Sequence, residues 1–585
     1  MLKLLKYLQK KEIGMIILSI GFIVLQVWLD LEIPDYMSTI TTLVQTPGST
    51  INDILLNGGY MLACAVASAI TTIIVGFLAA KIASRLARRI RSLVFNKVVN
   101  FSMAEVKHFS TASLITRTTN DISQIQMIIA MGLQLLVRAP VMAIWAICKI
   151  TSKSFEWTLA TAIAVVFLMV IIITVIAVSV PKFRKIQTYI DNLNRISRES
   201  LTGTRVVRAF NAEEYQNNKF EKANNDITKT HLFINKFMSF FDPAMMIVMN
   251  GLPLSIYVIG AFLISNAGML DKLKIFSDMM VFSSYAIQVV MSFVMLVMIF
   301  FMLPRAQVSA RRINEVLHTK PTILSGEGTD KPIKVGEIQF VNVGFKYPDA
   351  EEYVLHNINF KAEKGQVVAF IGSTGSGKST LINLVPRIYD ATEGQVIVDG
   401  VNVKDYTIEQ LNNKIGYISQ KAVLFSGTVE SNITMGTKDG QKPTAEDIDR
   451  ALEISQSNFV KEWPDGINSR IDQGGKNVSG GQKQRLSIAR ALARNPEILI
   501  FDDSFSALDY KTDKMLRQAI HEKLSDTTCL IVAQRIGTIK DADKIIVLDS
   551  GHIVGEGTHE ELMQNCKIYK EIALSQLSKE ELKNA

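Results

Sequence analysis

Cysteine and charge are both scarce in this sequence. Four cysteines occur in 585 residues (Cys64, Cys148, Cys529 and Cys566), scattered with no CxxC pair and no metal-like spacing. That pattern argues against a disulfide framework or a zinc site and leaves reduced packing residues. Charged residues make up only 20% of the chain, low for a soluble protein of this size. The length is too great for one core, so two or more domains are expected. A low average of this kind can hide one very apolar half and one ordinary half. A cleavable signal peptide is also lacking, because the first apolar run has no small-residue cleavage site and simply continues. The formal charge of +8 suggests nucleic acid at first sight. Lysine and arginine, however, crowd the segments flanking apolar runs, where they orient a membrane protein.

What is present is grease. Six long apolar segments precede residue 305, beginning near Ile13, Tyr60, Met127, Trp157, Met245 and Met279. Each is near or above the ~20 residues that a bilayer requires. Two long connections are basic: one carries Lys81, Arg85, Arg88, Arg89, Arg91 and Lys97, the other Lys182, Arg184, Lys185, Arg195 and Arg198. The other three, "QTPGSTINDILLNG", "TSKSFE" and "SNAGMLDKLKIFSD", are shorter. With the basic start "KLLKYLQKKE", this asymmetry puts both termini and the two long connections in the cytoplasm. "KIASRLARRIRSLVFNKVVNF" spaces apolar residues three and four apart, so the helices are expected to run well past the bilayer. Asp30 and Glu32 lie in or just beyond the first run, and Gln134, Arg138, Asn250 and Gln288 within others. Such groups either face a cavity or a partner, or cap a helix near the outer interface. The last run carries Met279, Met280, Met291, Met295, Met298 and Met302, which suit either an accommodating cargo surface or ordinary packing.

A change of composition follows "RRINEVLHTKP". The expected domains are a membrane domain over residues 1–315, a polar linker over 316–335 and a nucleotide-binding domain over 336–585. The strand-like runs "EIQFVNVGF", "QVVAFIG", "QVIVDG" and "ILIFDD" alternate with helical segments, implying an α/β domain with mostly parallel central strands. "GSTGSGKST" has the phosphate-loop spacing, between the strand "VVAFI" and the helical "TLINLVPRIY". Its residues Gly372, Ser373, Thr374, Gly375, Ser376, Gly377, Lys378, Ser379 and Thr380 are candidate nucleotide ligands. Glycines let successive N–H groups wrap the phosphates, Lys378 would reach the β- and γ-phosphates, and Ser379 would hold Mg²⁺.

"NVSGGQKQRLSIARAL" then places Val478, Ser479, Gly480, Gly481 and Gln482 at a helix start. Here the sequence resembles the ABC transporter superfamily. Over the whole chain it looks like an exporter-type half-transporter: six membrane helices with long cytoplasmic extensions, then one α/β P-loop ATP-binding domain. The resemblance implies roles for further residues. Tyr347 in "FKYPD" matches the adenine-stacking aromatic, and Gln420 in "YISQKAVLF" matches the glutamine that senses Mg²⁺ and γ-phosphate. Asp502 matches the Mg²⁺ carboxylate, and Asp509 in "SALD" the loop that touches the opposing subunit. "FSTASLITRTTND" and "LTGTRVVRAFNAEEY" look like the two coupling regions, which transmit nucleotide-driven closure. Each ATP in this family is sandwiched between one domain's phosphate loop and the other's signature, so a dimer is implied.

Two positions depart from the family. Asp503 stands where a catalytic glutamate is usual, and Gln534 in "IVAQRIGTI" where a switch histidine is usual. The aspartate carboxylate is drawn back by one C–C bond of about 1.5 Å, and a neutral amide cannot carry an imidazole's proton. A conservative acid-for-acid change would keep activity; two losses in one half-site point instead to the degenerate-site subunit of a heterodimer. Its signature, Ser479, Gly480, Gly481 and Gln482, would complete a competent site on a non-identical partner, where most hydrolysis would occur. The expected function is ATP-driven export of amphipathic compounds across the cytoplasmic membrane, with ATP and Mg²⁺ as cofactors. The alternatives are a lipid or lipid-linked precursor flippase, an importer with this fold, and an ATP-sensing regulatory subunit. Six spans exclude a soluble ABC protein in DNA or ribosome work, and the lack of a peptidase-like extension argues against a peptide-processing exporter.

Overall fold

The computed structural model describes residues 2–46, 48–151, 155–329 and 335–576. The chain folds as two compact units: Met1–Val99 with Ala112–Thr319, and Asn100–Thr111 with Lys320–Ala585. The helices up to residue 318 are α1 (Leu2–Leu5), α2 (Lys10–Gln45), α3 (Ile51–Val99), α4 (Met103–Phe109), α5 (Thr111–Thr118), α6 (Asn120–Thr151), α7 (Phe155–Thr202), α8 (Thr204–Ala209), α9 (Glu213–Met238), α10 (Phe241–Asn266) and α11 (Met269–His318).

Six helical stretches in the described residues are long and apolar enough to cross a membrane. Helix α3 runs unbroken to Val99 and α7 to Thr202, so the helices extend well past their apolar windows. Most of the connection "QTPGSTINDILLNG" is helical, since α3 opens at Ile51. Thr50 and Asp53 cap that start reciprocally, with Asp53 Oδ2 accepting from the Thr50 hydroxyl at 2.7 Å. Residues 152–154 of "TSKSFE" lie outside the described residues. Val27 and Leu31 of α2, Met142 and Ala146 of α6, Trp157 of α7, Ile256 of α10, and Phe282 and Tyr285 of α11 form the core of this unit. Met279 packs into that core opposite Gly260, whose missing side chain makes room for it, whereas Met291 and Met298 are exposed.

Asp30 and Glu32 prove to be paired with bases. Arg138 of α6 donates to Asp30 Oδ2 at 3.0 Å, and Ser68 of α3 donates to the other oxygen. Lys149 bridges Glu32 at 3.2 Å and Asp35 at 2.5 Å. A charge at membrane depth is costly alone, and pairing answers that cost. Arg138→Gln should therefore lower stability by about 1–3 kcal/mol, between the values for exposed and fully buried pairs. Adding Asp30→Asn should recover much of the loss in detergent thermal unfolding; equal melting of wild type and Arg138→Gln would contradict this.

The second unit contains strands β1 (Ile338–Phe345), β2 (Leu355–Ala362), β3 (Val367–Gly372), β4 (Glu393–Val398), β5 (Val401–Asn402), β6 (Ile415–Ile418), β7 (Gly427–Thr428), β8 (Arg470–Ile471), β9 (Ile498–Asp502), β10 (Thr528–Val532), β11 (Lys544–Asp549) and β12 (His552–Gly557). The main sheet has the order β12-β11-β3-β10-β9-β6, and β6, β9, β10, β3 and β11 run parallel. These strands are continuous apolar runs because both faces are covered. Val368, Phe370, Ile498, Ile500, Leu530 and Val532 enter one core, and Ala369, Ile371, Leu499, Phe501, Cys529 and Ile531 the other. A separate antiparallel sheet, β2-β1-β4-β5, lies beside it. All four cysteines are free, with Cys529 and Cys566 buried.

Candidate nucleotide site

The parallel strands all deliver their carboxyl ends to one edge, where ligands of open α/β sheets bind. The loop after β3 supplies residues 373–377, β9 ends at Asp502, β10 leads to Gln534, and β6 leads to Gln420. The loop then enters the short helix Lys378–Ile382 through Gly377, in the left-handed region at φ 97°. A Cβ there would lie 2.7 Å from Leu355 Cδ2 and 3.2 Å from the Val354 carbonyl. Gly377→Ala should thus cost about 1–2 kcal/mol in backbone strain alone and distort the loop. The expected outcome is a lower melting temperature and an ATP affinity reduced at least about tenfold, one order per 1.4 kcal/mol; unchanged ATP binding would contradict it.

Lys378 is 9% exposed and its ammonium folds back on the loop, donating to the carbonyls of Gly372 at 2.9 Å and Ser373 at 2.7 Å. Burial lowers its pKa, and the nearby Asp503 charge opposes that. Phosphate oxygens would favour the charged form further. Ser379 Oγ donates to Asp502 Oδ1 at 2.6 Å, and the Tyr417 hydroxyl lies 3.2 Å from Asp502 Oδ2. Burial raises the Asp502 pKa, and the bonds from Ser379 and Tyr417 oppose it. The site thus joins a hydroxyl and a buried carboxylate at hydrogen-bond distance, with the Gln420 amide just past the end of the neighbouring strand β6. Hard oxygen donors of this kind suit Mg²⁺ bound together with phosphates, so the residues fit that ion.

Asp503 is 6% exposed and sits in the left-handed region at φ 50°, uncommon for a residue other than glycine. Its N–H donates to the Val532 carbonyl at 3.1 Å, which fixes its backbone to β10. One carboxylate oxygen, Oδ2, accepts from two amides: Gln534 Nε2 at 2.8 Å and Gln420 Nε2 at 3.0 Å. Both departures from the usual pattern therefore meet in one hydrogen-bonded group. The backbone carbonyl of Gln534 accepts from the Gln576 side-chain amide at 2.8 Å.

Tyr347 joins the phosphate-loop helix through its hydroxyl, 2.9 Å from Thr380 Oγ1, and meets Tyr389 edge to face at 5.3 Å. The signature lies elsewhere, at the start of helix Gly480–Leu492. Ser479 caps it: its N–H donates to Gln482 Oε1 at 2.9 Å, and its hydroxyl accepts from Gln482 N–H at 3.3 Å. Asp509 likewise caps helix Tyr510–Lys523, with Thr512 N–H donating to it at 3.0 Å. Tyr417, Tyr389 and Lys107 were not anticipated. Tyr417 lies on β6, three residues before Gln420, in the same quoted stretch "YISQKAVLF"; Lys107, whose ammonium lies 4.9 Å from the Tyr347 ring centroid, carries no signal in the sequence around Tyr347.

A phosphate loop, a buried metal-type carboxylate and a capped signature helix, in one chain with six membrane-length helices, define a membrane transporter driven by nucleotide. Residues 355–506 match the family described as ABC transporter, and residues 16–293 match the ABC transporter transmembrane region. An uncharacterised ABC transporter ATP-binding protein of Mycobacterium bovis is 36% identical over 547 residues, covering 92% of this chain and 93% of the relative. The protein YfiB of Bacillus subtilis, also an ABC transporter ATP-binding protein, is 33% identical over 89% of this chain and 90% of its own. A multidrug resistance ABC transporter ATP-binding and permease protein of Lactococcus lactis is 30% identical over 88% of this chain and 85% of its own. The fold is similar to that of a bacterial Atm1-family ABC exporter with ATP bound, at TM-score 0.77 and 21% identity, covering 97% of this chain and 100% of that one. The chain belongs to the ABC transporter family, as a multi-pass membrane protein with an ATP-binding domain.

Proposed function

We propose that this chain is one half of a heterodimeric exporter of amphipathic compounds, and that its own phosphate-loop site binds ATP but hydrolyses it slowly. The observation that carries this is the double amide contact on Asp503 Oδ2. A general base must present a free lone pair to the attacking water. Here one oxygen is engaged twice, and the side chain is one methylene shorter than glutamate. Gln534 can donate to a γ-phosphate but cannot move a proton as histidine can. The other elements support binding: Lys378 and the loop N–H groups for phosphates, Ser379, Asp502 and Gln420 for Mg²⁺, and Tyr347 for the base. Mg²⁺ would supply charge neutralisation on the β- and γ-phosphates.

The signature residues Val478–Gln482 keep the family pattern and would serve the partner chain's site. Closure of the two nucleotide domains on ATP would then open the membrane cavity outward, and hydrolysis at the partner's site would reset it. Both termini would face the cytoplasm. The likeness to a multidrug resistance transporter of Lactococcus lactis supports multidrug cargo over lipid. Reconstitution of the chain with its partner half-transporter in liposomes separates these readings. Amphipathic dyes should raise ATPase and be moved across the bilayer. Movement of lipid analogues alone would mark a flippase, and ATP binding with no stimulated turnover would mark a sensor.

A further inference from the structure

The loop between β10 and the helix Ile536–Ile539 carries Gln534, whose side chain donates to Asp503 Oδ2. Its backbone is gripped by one side chain from another helix. Gln576, the last residue of helix Lys567–Gln576, donates from Nε2 to the Gln534 carbonyl at 2.8 Å. Its Oε1 accepts from the Ile536 N–H at 2.9 Å. One carboxamide thus pairs with the loop on both sides of Arg535, as a neighbouring strand would. The helix that carries it is itself fixed. Tyr569 and Ala573 are fully buried, and the Tyr569 hydroxyl lies 2.6 Å from His559 Nδ1. Packing holds Ala533 and Ile536, which are both buried, and the clamp holds the exposed Gln534 between them.

We propose that Gln576 is a positioning residue of this chain's nucleotide site, setting Gln534 where its amide meets both Asp503 and the γ-phosphate. This rests on the reading that Gln534 faces the γ-phosphate. A glutamine amide has two N–H donors. One donates to Asp503 Oδ2, which leaves the other for a phosphate oxygen. Both can be used at once only while the loop backbone holds the amide in place, and Gln576 fixes that backbone. Gln576 is exposed, so water replaces its two bonds when they are lost. Its removal therefore costs position and not the fold. Gln576 touches no nucleotide and acts through Gln534 alone.

The test is competition by ATP and by ADP, with Mg²⁺ and on ice, against photolabelling of this chain by radiolabelled 8-azido-ATP. The protein is the assembled transporter in nanodiscs. Gln576→Ala should weaken ATP about three- to tenfold, the effect of one hydrogen bond, and leave ADP within about twofold. Gln576→Glu keeps the acceptor for Ile536 but sets a carboxylate against the Gln534 carbonyl, so it should lose ATP affinity as alanine does. In a Gln534→Ala background, Gln576→Ala should weaken ATP no further, because coupled residues are non-additive. An equal loss for ATP and ADP, or additive losses in the double variant, would assign Gln576 a purely structural role and overturn the proposal. Unchanged ATP binding by Gln576→Ala, or wild-type binding by Gln576→Glu, would overturn it as well. Should Gln534→Ala alone leave ATP affinity unchanged, the reading of Gln534 as a γ-phosphate contact fails. Should this chain take no label, the nucleotide-site reading fails; either result takes the proposal with it.

Discussion

In the proposed heterodimer, neutralising the partner chain's catalytic carboxylate should lower ATP turnover by about 100-fold or more, the scale of lost general-base catalysis. Asp503→Asn in this chain should leave turnover within about twofold, a change near the size of one weak interaction. The asymmetry follows from what already holds Asp503. Its Oδ2 accepts from Gln534 at 2.8 Å and from Gln420 at 3.0 Å. An asparagine oxygen can accept the same two bonds, so the group's geometry survives while its charge is lost. Asp503→Glu alone should restore little, because the longer carboxylate still meets the Gln534 amide. Asp503→Glu with Gln534→His should raise turnover at this site more than the two single changes combined, as residues acting as one unit are non-additive. Additive single effects, or a large loss on Asp503→Asn, would remove the proposed impairment.

Gly481→Asp in this chain should lower turnover of the pair by about 100-fold, comparable to loss of a positioned charge-stabilising group, with no loss of stability. The local structure does not need glycine at this position. Helix Gly480–Leu492 has ordinary helical backbone here, a Cβ on Gly480 would meet nothing within 4 Å, and one on Gly481 would meet only the Ala507 carbonyl, at 3.6 Å. Glycine inside a helix is itself unfavourable by about 1 kcal/mol relative to alanine. Two glycines there leave the helix N-terminus open to close approach by an anion. In the proposed pair that anion is the γ-phosphate held by the partner's phosphate loop. An aspartate would fill the space and repel the phosphate. ATPase and thermal unfolding of the same variant check both halves of the statement. A variant that melts early would mean that the fold requires the glycine, and one with full ATPase would mean that the signature serves no site.

Much of this was legible in the sequence. The apolar runs, long enough to span a bilayer, become six membrane-length helices. The pattern strand, "GSTGSGKST", helix becomes β3, loop and helix Lys378–Ile382, because glycine spacing and the apolar strand are both local features. The mostly parallel sheet was legible too, in strand-like runs alternating with helical segments. Pairings between distant residues were not. Nothing near Asp30 announces Arg138, and nothing near Asp503 announces that Gln420 and Gln534 share its Oδ2. Such contacts arise from strand order and helix packing, which one sequence does not state. The antiparallel β2-β1-β4-β5 sheet escaped for the same reason, as its strands read only as further alternation in an α/β pattern. The helix start at Ile51, set by the Thr50–Asp53 cap, lies nine residues before the apolar run that begins near Tyr60, because a cap is polar and leaves no mark on hydropathy.

The measurement that most directly tests a binding-competent, slowly hydrolysing site is nucleotide trapping in the assembled pair. The two chains are incubated with radiolabelled 8-azido-ATP, Mg²⁺ and vanadate at turnover temperature, photolysed and separated. Trapped diphosphate should label the partner chain, while this chain should carry label only as uncleaved triphosphate. Equal trapped diphosphate on both chains, or trapping on this one, would contradict the account.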